Sequence, residues 1–134
     1  MSGVAPGQQF DWMSLLEYAE ERIDCRSQFM RRLVINRAYY AAFHVARSGL
    51  RHLGVADADS RFHRQLWSHF ERARGAAPHE ARAWRMIGEI GAHLHAERTR
   101  ADYESGAVWS AGDCARVVAD ARSLVNRVGA LTSR

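Results

Sequence analysis

The amino-acid sequence predicts an all-α protein, a single five-helix up-and-down bundle. Apolar residues recur three and four positions apart in five segments, and glycine or proline falls between several of these segments. No stretch shows the alternating pattern of a β-strand. The chain has 134 residues, of which 47% are hydrophobic and 25% are charged. One domain of this size buries a core without disulfide or metal support.

The predicted helices have recognisable boundary signals. Asp11 and Ser110 are residue types that cap helix N-termini, and Asp113 follows Ser110 in a variant of the capping box. Gly54 ends the second segment, whereas Pro78 suits the first turn of the fourth. The predicted helices therefore cover about 11–23, 27–53, 61–74, 78–103 and 110–128.

The fourth segment carries two glycines, Gly88 and Gly91, inside its helical pattern. Each costs a helix about 1 kcal/mol relative to alanine, so we expect both to permit a close crossing with another helix. The tryptophans divide into two groups by their position in the pattern. Trp12 and Trp84 fit core stripes, and Trp67 and Trp109 are candidates for an exposed partner surface.

Residues 1–9 are small, polar and contain glycine and proline, which predicts a flexible tail before a helical domain over 10–134. The N-terminus lacks the pattern of a secretory signal, and no run of 18 apolar residues occurs. We therefore expect a cytoplasmic protein with no membrane contact. Cys25 and Cys114 lack the CxxC spacing and are expected to be reduced, although a bridge between them stays open.

The net charge is +4, and all 19 basic residues are arginine. Arginine grips phosphate groups through two parallel hydrogen bonds and stays charged at any ordinary pH. The arginines are spread along the chain rather than massed in one tract. This distribution indicates a modest preference for an anionic partner and nothing stronger.

The second predicted helix is apolar nearly all round, which is typical of a helix at the centre of a bundle. Arg37, Tyr40 and His44 are three and four residues apart, so their side chains are neighbours. Two polar residues, Asn36 and Arg47, lie within its main apolar stripe. They need partners, since burying an unpaired arginine is costly. That stripe consists of Phe29, Leu33, Asn36, Tyr40, Phe43, Arg47 and Leu50.

The fourth predicted helix offers a carboxylate as a partner. Arg98 and Asp102 are four residues apart and share the face of its apolar stripe. They can therefore meet Arg37, Tyr40, His44 or Arg47 across a helix interface. Two interpretations stay open: a buried polar network that fixes helix register, and a site for phosphate or nucleotide. Spacing alone favours the network.

Two blocks of the sequence resemble the HEPN superfamily, in its branch of small stand-alone prokaryotic proteins. The segment Arg37–Arg47, RAYYAAFHVAR, is similar to the second helix of that branch. The segment Arg98–Tyr103, RTRADY, is similar to its second block, and His63 falls where such proteins often carry a histidine. The resemblance covers most of the chain, from about residue 11 to residue 128.

The resemblance implies a HEPN-type bundle that is commonly a homodimer. Members are frequently encoded beside nucleotidyltransferases in toxin–antitoxin or antiphage-defence modules, and many are metal-independent ribonucleases. It therefore predicts a protein that acts on or binds RNA or nucleotide, with a nucleotidyltransferase or antitoxin as partner. The alternatives are a non-catalytic partner or regulator of a nucleotidyltransferase, and a helical subunit of a larger assembly.

The catalytic block departs from the family pattern. In the ribonucleases, a histidine follows the arginine after four to six residues, whereas here Tyr103 follows Arg98 after four, and no later histidine exists. A tyrosine is a poorer general base at neutral pH than a histidine. The expected catalytic residues are Arg98, Asp102, Tyr103 and His44. The expected nucleotide- or RNA-binding residues are Arg37, Tyr40, Arg47 and His63.

The histidine spacings do not match a metal site. His93 and His95 are two residues apart and His63 and His69 are six apart, so neither pair shares a helix face as zinc ligands do. Because none of the seven histidines has ligand spacing, the pattern favours surface or capping positions for them. No glycine-rich phosphate loop precedes a helix. The sequence therefore predicts neither a metal nor a cofactor.

Overall fold

The computed structural model describes residues 10–55 and 63–133 and confirms the all-α fold class. Within those ranges the chain forms five α-helices and a short 3-10 turn at Pro78–Glu80, and it contains no β-strand. The helices are α1 Met13–Glu20, α2 Gln28–His52, α3 His63–Glu71, α4 Ala81–Tyr103 and α5 Ala111–Thr132. The predicted flexible tail at 1–9 lies outside the described residues.

Helix α2 is the central element, as its nearly uniform apolarity predicts. It packs most extensively on α5 and also contacts α1 and α4, while α3 packs mainly on α4. Its buried residues include alanines that let neighbouring helices approach and large side chains that fill the space between them. They are Val34, Ile35, Ala38, Tyr39, Ala41, Ala42, Phe43, Ala46, Gly49 and Leu50.

The predicted helix ends are largely confirmed. Ser27 caps α2, since its hydroxyl accepts a hydrogen bond from the amide of Met30 at 3.0 Å. Ser110 and Asp113 form the reciprocal capping box that begins α5, with both hydrogen bonds at 3.0 Å. Gly54 follows α2 with φ of 72°, a left-handed conformation that favours glycine at a helix stop.

Helices α1 and α3 are shorter than predicted. Asp11 still accepts a hydrogen bond from the amide of Met13 at 3.0 Å, but α1 ends at Glu20 because residues 21–24 form turns. In α3 the predicted residues 61 and 62 lie outside the described ranges. Its last predicted turn is not helical: α3 ends at Glu71, and Ala73 has a left-handed φ of 50°.

The close crossing predicted from the two glycines joins α3 to α4. A Cβ atom added at Gly88 would lie 2.8 Å from the amide nitrogen of Glu71 and 2.9 Å from the Cβ of Phe70. One added at Gly91 would run into the indole ring of Trp67. Both positions therefore need glycine because α3 lies directly against the α4 backbone.

The expected division of the tryptophans is wrong for three of the four. Trp67 and Trp109 are buried, with 1% and 2% of their surface exposed. The first lies over Gly91, and the second donates its indole N–H to Glu97 at 3.1 Å. Trp12 is 40% exposed instead of forming part of the core, and Phe29 of the predicted apolar stripe is 74% exposed. Only Trp84 is buried as expected.

The two cysteines, whose separation the sequence left open, lie together as free thiols. Cys114 is buried at the start of α5, and Cys25 is half-buried in the segment between α1 and α2. Burial, followed by interaction with the Cys25 thiol, raises the pKa of Cys114 to about 11. Among the described helices, none has the length and apolarity needed to cross a membrane.

Candidate functional site

A charged side chain lies inside the bundle where α2, α3 and α4 meet. Arg98 of α4 is only 8% exposed, as the shared stripe with the apolar residues of α4 predicts. Its guanidinium carbon lies 5.3 Å from the ring centre of Tyr39 and 5.4 Å from that of Tyr40, a cation–π arrangement with both. Its Nη1 donates to the Asp102 carboxylate at 3.2 Å. Within the described residues, Arg98 Nε is buried without a hydrogen-bond partner.

Asp102 joins Arg98 to the exposed surface of α2. The side-chain amide of Asn36 donates to both carboxylate oxygens of Asp102, at 3.3 and 3.2 Å. Arg37 in turn donates to the Asn36 carbonyl oxygen at 2.8 Å. The predicted polar contact between α2 and α4 therefore exists, but Asn36 makes it and Arg37 reaches Asp102 only through Asn36.

A second chain of polar groups fixes the ring of His63, the first residue of α3. The Trp67 indole donates to the Tyr39 hydroxyl at 3.2 Å, and that hydroxyl lies 2.6 Å from His63 Nδ1. The Tyr39 hydroxyl has a second lone pair as well as its proton, so it holds Nδ1 of His63 in either neutral tautomer, and Nε2 is the ring nitrogen that lies outside this chain of hydrogen bonds.

His95 belongs to the same cluster, and the expectation that it is a surface residue is wrong. Its ring stacks on that of His63 with centres 5.5 Å apart and lies 5.7 Å from the ring of Tyr39. The histidine two residues earlier, His93, is exposed. The signal that the sequence offered was the spacing of three between His95 and Arg98, which places both on one face of α4.

The histidines of this region are held in the neutral form. Burial, together with the nearby Arg98 guanidinium, lowers the pKa of His63 to about 4. Burial and then Arg98 also lower the pKa of His95. The pKa of the Tyr39 hydroxyl is raised, chiefly by burial, so it stays protonated. The site therefore holds one buried cation beside two uncharged imidazoles.

The other predicted site residues lie around this cluster or away from it. His44 is one turn beyond Tyr40 with ring centres 6.4 Å apart, and it stacks on Trp12 at 3.5 Å. Arg47 lies over the ring of Phe43, 5.9 Å from its centre. Tyr103 is 75% exposed and makes no ring contact with the cluster within the described ranges. The structure thus brings together Arg98, Asp102, Tyr40 and His63, and adds Tyr39 and His95, which sequence reasoning missed as site residues.

A groove between α3 and α4 leads to the imidazole of His95. It has a volume of about 390 Å³, and Trp67 and Thr99 form part of its wall. Arg64 and Arg100 are exposed and line the same groove together with Glu71, and Arg100 is ion-paired with Glu97 at 3.3 Å and with Glu104 at 3.7 Å. A ligand of modest size can therefore reach His95 from solvent through this groove.

The neutral state of His63 has a consequence for stability at acidic pH. We expect the free energy of unfolding to fall as the pH is lowered from about 6.5 to about 4, because the unfolded chain binds a proton that the folded ring does not. The contribution is fully present above pH 6.5 and is lost by pH 4. Allowing for solvent screening of the half-buried ring, the loss is about 1–2 kcal/mol.

Urea unfolding midpoints measured across this pH range test that expectation. A His63→Phe variant keeps a ring against Phe43 and should show a shallower dependence on pH than the wild type. His93→Phe replaces an exposed histidine and should retain the wild-type dependence. If the two variants behave alike, His63 is not the group that titrates.

Fold and site together define this chain as an all-α bundle with an arginine, an aspartate, two histidines and two tyrosines gathered between α2, α3 and α4. No protein-family model, curated protein or solved structure matches the chain. Among the residues that the structure describes, no three histidine, cysteine or carboxylate side chains are grouped as metal ligands.

Proposed function

We propose that this chain is a HEPN-type protein of a toxin–antitoxin or antiphage-defence module, and that it binds and cleaves RNA at the cluster around Arg98. The observation that carries the proposal is the buried Arg98 guanidinium with two neutral imidazoles beside it. Cleavage of RNA without a metal needs a base for the 2′-hydroxyl proton and a fixed positive charge for the phosphate. Arg98, His95 and His63 supply those groups within one cluster.

The geometry assigns different roles to the two histidines. His63 Nδ1 is engaged by Tyr39, which leaves Nε2 as the ring nitrogen for a ligand; in the proposed complex His63 takes the tautomer with hydrogen on Nε2 and donates it to a phosphate oxygen. His95 lies at the groove, and its ring makes no hydrogen bond within the described residues, so a ring nitrogen is free to accept a proton. Neutral histidine at pH 7 is the form that a general base requires.

The proposed reaction balances without a co-reactant. His95 takes the proton of the 2′-hydroxyl, and the resulting oxygen attacks the adjacent phosphorus while Arg98 stabilises the charge on the phosphate oxygens. The bond from phosphorus to the 5′ oxygen breaks, and that oxygen takes a proton from water. The hydroxide that is left receives the proton held by His95, so the base is regenerated and no water is consumed. The products are a 2′,3′-cyclic phosphate and a 5′-hydroxyl end.

A second candidate is a non-catalytic HEPN partner of a nucleotidyltransferase. It is favoured by the ion pair of Arg98 with Asp102, which occupies one guanidinium nitrogen at 3.2 Å. It is also favoured by the exposure of Tyr103, because a nucleotidyltransferase partner can reach this hydroxyl and attach a nucleotide to it. In this case the polar cluster fixes the register of α2 against α4, and the protein has no ribonuclease activity.

Single-turnover cleavage of an unstructured RNA decides between these functions. We expect Arg98→Gln to lower the rate by about 100-fold, because it removes the charge that stabilises the transition state. Arg98→Lys keeps a cation and should retain part of the activity. Arg85→Gln, an exposed arginine on the same helix, should cleave like the wild type. Equal cleavage by wild type and Arg98→Gln, or none by either, rejects the ribonuclease and leaves the second candidate.

A further inference from the structure

The outer face of α2 carries a stripe of cationic and aromatic side chains, here called the α2 stripe. Its members are three or four residues apart and therefore lie along one face of the helix over about 21 Å. Tyr40 connects the stripe to the cluster, since its ring lies 5.8 Å from His63 and 5.4 Å from the Arg98 guanidinium. The α2 stripe consists of Arg37, Tyr40, His44, Arg47 and Arg51.

Aromatic rings from the segment before α1 extend this stripe sideways. Trp12 stacks on His44 with ring centres 3.5 Å apart and an angle of 11° between the planes. Phe10 contacts Trp12 edge-on at 4.7 Å. Trp12 and Phe10 nevertheless stay 40% and 57% exposed. Two exposed aromatic rings in contact form a contiguous apolar patch, and such patches are typical of binding surfaces.

The charge of the stripe is positive. Within the described part of the chain, neither Arg37 nor Arg51 forms an ion pair, and Arg37 donates only to the neutral Asn36. Arg51 is exposed in the last turn of α2. Arg47 and Arg51 both act on the His44 imidazole, and they reinforce burial in lowering its pKa. A ligand for this surface therefore carries negative charge and flat apolar groups together.

We propose that the α2 stripe, with Trp12 and Phe10, binds single-stranded RNA beside the cleavage site. This inference rests on the proposed action on RNA and names the form of the substrate. Phosphates pair with Arg37 and Arg51 at the two ends of the stripe, and an unpaired base stacks on the exposed rings of Trp12 and Phe10. Duplex RNA keeps its bases stacked inside the helix, so it has no ring face to offer to Trp12.

Binding is measured separately from cleavage with a fluorescent single-stranded RNA of about ten nucleotides, a length within the usual site size. Every 2′-hydroxyl of this probe is methylated, so it binds but provides no nucleophile. We expect Trp12→Ala to weaken its binding by about tenfold through the lost stacking. Arg51→Gln should lower the slope of log affinity against log salt by about 0.7, the value for one lost phosphate contact on a single strand.

Matched controls come from exposed residues outside the stripe. Phe29→Ala removes an exposed aromatic side chain of α2 that precedes the stripe and lies about 12 Å from Arg37 and about 22 Å from His44 along the helix. Arg116→Gln removes an exposed arginine of α5. Both should bind the methylated probe as the wild type does. Arg51→Gln alters only an exposed side chain, so it tests the stripe even if Trp12→Ala disturbs the N-terminal packing.

The outcomes separate this inference from the proposed function. A wild-type protein that binds the probe through Trp12 and Arg51 but leaves unmodified RNA intact overturns the ribonuclease and supports the stripe. If Trp12→Ala and Arg51→Gln both cleave RNA and both bind the methylated probe as tightly as the wild type, the proposed role of the α2 stripe is overturned and the ribonuclease is not. Equal affinity for the methylated duplex, with the same dependence on Trp12, overturns the assignment to single strands. Tighter binding of a polyglutamate peptide than of the probe also overturns it.

Discussion

Replacing Gly91 by alanine is expected to lower the free energy of unfolding by about 3 kcal/mol. The added methyl group would occupy the position of the Trp67 ring, which lies flat against the α4 backbone. Trp67 cannot move aside freely, since it is 1% exposed and its indole N–H is bonded to Tyr39 at 3.2 Å. Alanine is the better helix former by about 1 kcal/mol, but that gain is smaller than the cost of separating α3 from α4.

Chemical denaturation of the wild type, Gly91→Ala and Gly129→Ala measures this effect. Gly129 is also a helical glycine, but an added Cβ would meet no atom within 4 Å among the described residues. Gly129→Ala should therefore stabilise the protein by up to about 1 kcal/mol. Opposite signs for the two substitutions are the expected result. A stabilising Gly91→Ala would mean that α3 does not pack against α4 as described.

The helices and their order could be predicted from the sequence because their signals are local. The capping box at Ser110 and the stop at Gly54 are set by residues within one turn, so short-range rules find them. The placement of Arg98 and Asp102 on a buried face also follows from a spacing of four on one helix. These local rules therefore predict each helix and its ends, one helix at a time.

Contacts between helices could not be predicted in the same way. Trp67 lies in a short, mostly polar helix, and only the bare backbone of Gly91 explains how it becomes buried. Trp12 has the spacing of a core residue, yet it stacks on His44 at the edge of the bundle. The glycines predicted that a close crossing exists but not which helix makes it. Which helix packs against the two glycines depends on residues of both α3 and α4, and local rules do not compare separate segments.

The candidate site shows the same division. The sequence predicted Arg98 as a site residue. The family that the sequence resembles has its histidine after this arginine, so a histidine was expected only on that side of Arg98. The structure instead places His95, one turn before Arg98, and His63, from another helix, beside the guanidinium. Spacing of three on α4 was a sufficient signal for His95. No local signal could pair His63 with Tyr39, since 24 residues and the segment between α2 and α3 separate them.

Removing the imidazole of His95 is expected to have the largest effect on activity. His95→Ala should slow cleavage of RNA by about 1000-fold, within the range for loss of a general base. His95 is the imidazole that lines the groove, and burial together with Arg98 lowers its pKa, so the base that we propose is neutral at pH 7. The acid limb of the wild-type kcat/KM profile should therefore lie below the ordinary histidine value of about 6.5.

The pH profile and chemical rescue distinguish a base from a side chain that only maintains the fold. In His95→Ala the acid limb should disappear, and added imidazole should restore part of the rate, since the small ring enters the space that the groove opens to solvent. His93→Ala, an exposed histidine two residues earlier on the same helix, should keep both the rate and the profile of the wild type. If His95→Ala is slow but retains the acid limb and is not rescued by imidazole, a residue other than His95 is the base. His63 would then be the remaining imidazole beside Arg98, and its lower pKa of about 4 would move the acid limb to that pH.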